Sequence, residues 1–198
     1  MDFRIADGPF QPTWDSINQH YPGVPAWFRE AKFGVFVHWG PQAAGRSGDW
    51  YARNLYRPGH PAYANHLKQY GHPSAVGYKE VLHRWTAPKW DPAALTEAFH
   101  DAGMRFMMVV GVHHDNYDLW DSTYNPWNSV RIGPKQDMIG GWSREARTRG
   151  MRFGITFHHE YSWWWWADAY RADTEGPRAG VPYDGNLTLA DGVGTWWE

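Results

Sequence analysis

Three stretches of the chain are apolar at nearly every position, and polar side chains gather at the end of each. They are "KFGVFVHWG" (32–40), "MRFMMVVGVHH" (104–114) and "MRFGITFHH" (151–159). Each is too short for a typical helix and rich in β-branched or aromatic residues, which predicts strands. None alternates apolar with polar, so each is expected to be covered on both faces, as in a parallel sheet. The segments before the second and third strands carry the helical period instead. "WDPAALTEAFHDAG" (90–103) opens with Asp91 as N-cap and Pro92 at the first helical position, aligns Leu95, Ala98, Phe99 and Ala102 on one stripe, and stops at Gly103. "QDMIGGWSREARTRG" (136–150) repeats the design, with Asp137 as cap, Met138, Ile139, Trp142 and Ala146 inward, and Gly150 at the end.

Strand, helix, strand, helix, strand is the order that yields parallel strands joined by crossovers, in a doubly wound sheet or a (β/α)8 barrel. The strand ends decide between them. His38-Trp39, His113-His114-Asp115 and His158-His159-Glu160 follow the three strands, and in a TIM-like barrel the residues past the carboxyl ends of the strands line the active site. A nucleotide-binding sheet would carry a glycine-rich phosphate loop, and neither G-x-G-x-x-G nor a Walker sequence is present. The expectation is therefore an α/β fold, a (β/α)8-type TIM-like barrel. A barrel needs eight strands and typically about 250 residues. Residues 1–198 are accordingly expected to be the amino-terminal portion of a truncated catalytic barrel, holding its first three strands.

The fifty residues 41–90 and the segment from Glu160 onward lack a clear apolar period and are expected to be loops. The first is too rich in Tyr and Trp for disorder and is expected to form part of a pocket wall. Composition sharpens this. The chain has 15 Trp, 11 Tyr and 11 His, side chains that join a flat apolar face to a polar edge and so suit a hydroxylated, partly apolar ligand such as a sugar. A net charge of −2 with no block of like charges argues against nucleic acid or an anionic membrane as partner. No apolar run approaches the roughly 20 residues of a membrane span, and the start lacks a signal-peptide pattern. A soluble chain is expected, cytoplasmic by default, with a periplasmic or secreted location as the alternative. Without cysteine there are no thiolate metal sites.

Two other classes compete with a sugar-cleaving enzyme. The strand-end histidines, with Asp115 and Glu160, could serve a metal-dependent hydrolase. Against this, successive strand residues point to opposite faces, and no H-x-H or H-E-x-x-H spacing occurs. No metal and no cofactor are expected. A non-catalytic carbohydrate-binding module would be all-β, contrary to the two capped helices.

In order and spacing, "WFREAKFGVFVHWGPQA", "GDWY", "HHDNYDLWDS" and "GPKQDMIGGWSREARTRGMRFGI" resemble the amino-terminal part of the α-L-fucosidases, family 29 of the glycoside hydrolases, over roughly residues 26–161. The resemblance implies a (β/α)8-like catalytic domain that releases terminal α-L-fucose from glycans or glycosides with retention of configuration. It also implies that His38, His113 and His114 hydrogen-bond fucose hydroxyls, with Trp50 lining the pocket and Asp49 beside it. The nucleophilic Asp and the acid/base Glu of the family would both fall beyond residue 198, so the fragment alone is expected to be inactive. The sequence departs from the family pattern in three places. Asp49 stands where the family commonly has Glu, Asp115-Asn116-Tyr117 replaces Asp-Gly-Phe, and Thr156-Phe157 replaces a pair of tyrosines.

The remaining residues have ordinary structural readings. Asp115 is expected to orient His114 or cap a turn, and Glu160 to bond a loop backbone. His20, His60, His66, His72, His83 and His100 read as structural, and Trp27, Trp90 and Trp142 as packing residues. One or two of Trp163 to Trp166 are expected to stack on a sugar.

Overall fold

The computed structural model describes residues 7–160 and 162–186. The chain divides into two compact units, Met1–Lys32 and Phe33–Glu198. The first carries α1 (Trp14–His20), whose N-cap Thr13 accepts from the Ser16 amide, and α2 (Ala26–Ala31), which follows Pro25.

The second unit is built on a parallel sheet of three strands, β1 (Val35–Val37), β2 (Phe106–Val112) and β3 (Arg152–Phe157), in the order β1-β2-β3. Val35 lies opposite Met107, and Met107 in turn opposite Phe153. Two helices flank β2 and β3 in sequence, as their caps predict. In α6 (Pro92–Asp101) Asp91 accepts from the Ala94 amide at 3.0 Å. In α7 (Met138–Thr148) Asp137 accepts from the Gly140 amide at 2.8 Å. Met138, Ile139, Trp142 and Ala146 of α7 are buried and share a core with Met107 and Val109.

The described residues form an open parallel sheet of three strands, the number expected, and no barrel closes among them. Other expectations need correction. One face of the sheet is only partly covered. Met107, Val109 and Val110 are buried, while Phe36 is 51% exposed and its register partner Met108 37%. The stripe of α6 is likewise only partly covered: Leu95 is 41% exposed, Phe99 is half-buried, and the residue buried from that helix is Thr96. Leu95 and Phe99 instead look into an apolar cavity of about 610 Å³ that Val37, Trp39, Trp90 and Trp142 also line.

Residues 41–90 are not a loop. They form a 3₁₀ turn (Pro41–Gly45) and three helices, α3 (Tyr51–Asn54), α4 (Pro61–Gln69) and α5 (Tyr78–Arg84). The segment after Glu160 is also ordered into α8 (Ser162–Trp165) and two further 3₁₀ turns, Trp166–Tyr170 and Asp184–Asn186. The expected loop beyond residue 186 lies outside the described residues.

The helical insert explains much of the aromatic composition. Tyr51, Tyr56, Tyr78, Trp165, Trp166 and Tyr183 are fully buried. A buried hydroxyl without a partner is costly, so each tyrosine is expected to bond inside. The Tyr51 hydroxyl donates to His66 Nδ1 at 2.6 Å while His66 Nε2 donates to the Val76 carbonyl at 2.7 Å, which fixes both the tautomer and the structural role of that histidine. Tyr56 donates to Asp184, whose other oxygen accepts from the Lys79 amide at 3.1 Å. Tyr78 donates to Asp115 at 2.7 Å, and the same carboxyl accepts from the Tyr117 amide at 3.2 Å. Asp115 thus caps the turn after β2, as expected, and ties the insert to the sheet.

Two consequences can be measured. A Cβ on Gly34 would collide with the carbonyl oxygen of Phe106, a backbone atom that strand pairing holds in place. Gly34→Ala should therefore lower stability by about 1–3 kcal/mol, read as a shifted denaturant midpoint. The second concerns Asp115. Burial pushes its carboxyl up to about 7, against the hydrogen bonds from Tyr78 and the Tyr117 amide. The folded chain then keeps a proton that the unfolded chain has already lost, and the resulting penalty is absent below the ordinary carboxylate range and complete above about pH 7. Asp115→Asn mimics the protonated form. The Tm of the variant relative to wild type should accordingly rise between pH 4 and pH 7 and level off above.

Candidate active site

The site begins where the strands end. In-phase parallel pairing brings the residues after β1, β2 and β3 to one rim, and a register shift between Val110 and Val112 puts Val112 opposite Phe157. Gly111 sits at that bulge, where a Cβ would meet Ile155. The His158 amide then donates to the Val112 carbonyl at 3.1 Å. His38, His113 and His158 follow directly, one from each strand, with ring centroids 5.1, 5.2 and 5.3 Å apart.

Asp49, from the segment leading into α3, reaches across two of these rings. Its carboxylate oxygens lie 2.9 Å from His38 Nε2 and 3.3 Å from His113 Nε2. His113 is 3% exposed, and neither of its ring nitrogens makes a hydrogen bond. Burial, reinforced by the neighbouring imidazoles and opposed by Asp49, holds its ring down to about 4, so it is neutral near pH 7. His158 is shifted in the same direction, by burial and then by His114 and His38.

His114 packs against the same cluster, its ring centroid 4.7 Å from that of His113 and 5.3 Å from that of His158. Its Nδ1 donates to the His158 carbonyl at 2.9 Å, so in the neutral ring Nε2 is the acceptor. The ring packs edge-on against Trp50 and is tilted over Trp165. Trp50 is about one-third exposed and available at the rim. The five residues singled out in the sequence, His38, Asp49, Trp50, His113 and His114, therefore converge.

Asn116 has φ 53, in the left-handed region where glycine is easiest and asparagine next, which accounts for its standing where the family has Gly. Phe157 is exposed and stacks on His159. Of the tryptophan run, Trp165 packs beneath Trp50 and His114, Trp166 is buried against Tyr56 and Tyr78, and Trp164 is exposed under the Arg53 guanidinium. Trp164 is thus the member of the three able to meet a ligand face-on. Glu160 is exposed, and its side chain makes no bond to backbone among the described residues, where one was expected.

Sequence reasoning missed two residues. His158 was visible as a strand-end residue, but its convergence with His38 and His113 depends on the bulge at Gly111. Gln42 is buried with neither amide atom hydrogen-bonded, beside His38 and Asp49 in an open cavity of about 550 Å³. The signal for Gln42 was a polar residue inside "HWGPQA".

Comparison with known proteins bears directly on this rim. The family described as Alpha-L-fucosidase matches residues 2–185. Tissue alpha-L-fucosidase of Mus musculus is 31% identical over 161 residues, covering 80% of this chain and 35% of that protein. The human tissue enzyme is 30% identical over 156 residues, 78% of this chain and 33% of that protein. The chain thus spans about a third of the length of these relatives. Among solved structures, the α-fucosidase of Thermotoga maritima in complex with a mechanism-based inhibitor superposes with a TM-score of 0.67 at 34% identity, covering 75% of this chain and 36% of that one. The same enzyme in complex with fucose gives 0.64 at 33% identity, over 75% and 37%. The small parallel sheet is therefore similar to part of a fucosidase fold, and with the family match running from the first unit through the insert and the strand-end cluster, the chain belongs to the alpha-L-fucosidase family.

Proposed function

We propose that this chain supplies the sugar-binding wall of a retaining α-L-fucosidase and forms the first three strands, residues 1–198, of a (β/α)8-type barrel. The observation that carries this is the convergence of His38, Asp49, Trp50, His113 and His114 on one rim, in a chain whose relatives include an enzyme crystallised with fucose. The partner is a fucosylated oligosaccharide or glycoside.

The chemistry divides between groups in this chain and groups outside it. Retention requires two carboxyls about 5–5.5 Å apart, one to attack the anomeric carbon and one to protonate the leaving oxygen and later activate water. Asp49 is engaged by two imidazoles, and Asp115 is buried beneath Tyr78. By resemblance to the family, both catalytic carboxyls are assigned to strands other than these three.

What this chain contributes is orientation. His113 offers its neutral ring to a sugar hydroxyl, and His114 is held in place beside it by the bond from its Nδ1 to the His158 carbonyl. Asp49, bridging His38 and His113, fixes the pitch of both rings. Trp50 offers an apolar face to the C–H side of the sugar. Gln42 completes the set with an amide that can both donate and accept.

The test uses this sequence joined to the remainder of its catalytic domain. That enzyme should hydrolyse an aryl α-L-fucoside with retention, and early formation of the inverted sugar by proton NMR would exclude the mechanism. His38→Ala, His113→Ala and His114→Ala should each lower kcat/KM by on the order of tenfold or more, since an unpaired buried polar contact costs about 1–3 kcal/mol. Wild-type kinetics in two of the three would refute the assignment.

A further inference from the structure

The sugar reading leaves His158 unused, although it completes the triangle with His38 and His113. One ligand nitrogen from each of the three lies within 4.8 Å of the others. The ring centroids form an almost equilateral triangle, an arrangement that addresses a point rather than the extended edge of a sugar ring. We propose that His38, His113 and His158, with the Asp49 carboxylate beside two of them, form a site for a divalent transition metal ion, zinc foremost, whose occupancy excludes the sugar.

The dimensions support this. Zinc binds imidazole nitrogen and carboxylate oxygen at about 2.0–2.2 Å, usually as a tetrahedron, so neighbouring donor atoms stand roughly 3.3 Å apart. The Asp49 oxygens already lie 2.9 and 3.3 Å from His38 Nε2 and His113 Nε2. The three imidazole nitrogens, at 4.8 Å or less, need only swing inward by rotation of the rings. Three imidazoles and a carboxylate, with no thiolate, form a borderline donor set that suits zinc, copper(II) or nickel and disfavours magnesium and calcium.

The objection raised by the sequence also disappears. Adjacent strand residues cannot easily share an ion, but these ligands come from three different strand ends, and His114, although packed against His113 and His158, is outside the group of converging nitrogens. Through Nδ1 it bonds the carbonyl of His158, holding the backbone behind a ligand as an outer-shell partner does. His113, with both ring nitrogens buried and neither hydrogen-bonded, has a lone pair to give.

Metal binding as such does not depend on the fucosidase reading. The exclusion does, because the ion would take His38, His113 and Asp49 from the sugar. His158→Ala separates the two, since His158 is not among the sugar contacts.

The untagged chain, stripped with a chelator and exchanged into metal-free buffer, is titrated with Zn²⁺ by calorimetry and with Co²⁺ by visible absorption. Expected are one equivalent bound with Kd below about 1 µM and the d–d bands of tetrahedral cobalt without a thiolate charge-transfer band. His158→Ala, checked for folding by circular dichroism, should weaken binding beyond the roughly 10–100-fold that loss of an outer-shell partner costs. His83→Ala, on α5 and packed against Trp127, should leave it unchanged. Absence of a stoichiometric site in the wild-type chain, or equal affinity in a folded His158→Ala variant, would overturn the metal site. Saturating L-fucose should weaken zinc binding, and an unchanged zinc affinity in its presence would overturn the exclusion.

Discussion

The parallel register of β1, β2 and β3 fixes where every functional side chain ends up. Val37 opposite Val109, and Val109 opposite Ile155, mean that the three chains leave the sheet at nearly the same height. Gly34 allows β1 to approach β2 closely because no Cβ stands against the Phe106 carbonyl. The bulge at Gly111 then absorbs one residue of β2, and His113 and His158 come to face each other. A slip of one residue would turn each strand's side chains to the opposite face and scatter the imidazoles.

The helical insert depends on a second kind of constraint. It packs Tyr51, Tyr56 and Tyr78 where no water reaches their hydroxyls, and each finds one buried acceptor: His66, Asp184 or Asp115. Neutral or proton-sharing pairs of this sort avoid the large desolvation penalty of a buried charge. They also fix direction, because a phenol reaches its acceptor from one angle only. Through Tyr78 and Asp115 the insert is clamped to the segment that carries His113 and His114. Asp49 and Trp50, at the start of α3, are thereby delivered to the strand-end rim.

Much of this was legible in the residues. Asp91 and Asp137 cap their helices because a side-chain oxygen one residue before a helical run meets the amide at the third position, a purely local rule. The strands, too, follow from local apolar runs. The insert was not legible, because Gly48, Pro58, Gly59, Pro61, Gly71 and Pro73 interrupt the period every few residues and leave helices of one or two turns, held by tertiary hydrogen bonds rather than by their own amphipathicity. Coverage of the sheet was misread for a related reason. A continuous apolar run states that both faces avoid water, but it does not state which partner covers them, and Phe36 and Met108 face no such partner among the described residues. At the site, the five residues named from their motifs converge, whereas His158 and Gln42 emerge only from a long-range bulge and a buried, unsatisfied amide.

Asp49 is where the two readings of the rim meet. Aspartate, one methylene shorter than the glutamate common in the family, keeps its carboxylate near the strand ends, where it spans His38 and His113 rather than reaching out toward a leaving group. Placed there, it favours two kinds of occupant for a single physical reason. It fixes the tilt of both rings, which sharpens hydrogen bonding to a sugar hydroxyl, and it adds a negative charge beside converging lone pairs, which is what a divalent cation requires. The third strand adds to the same rim. Phe157 stands exposed and stacks on His159, while the next residue, His158, brings a nitrogen within 4.8 Å of those of His38 and His113, and it is this convergence on which the proposed metal site rests.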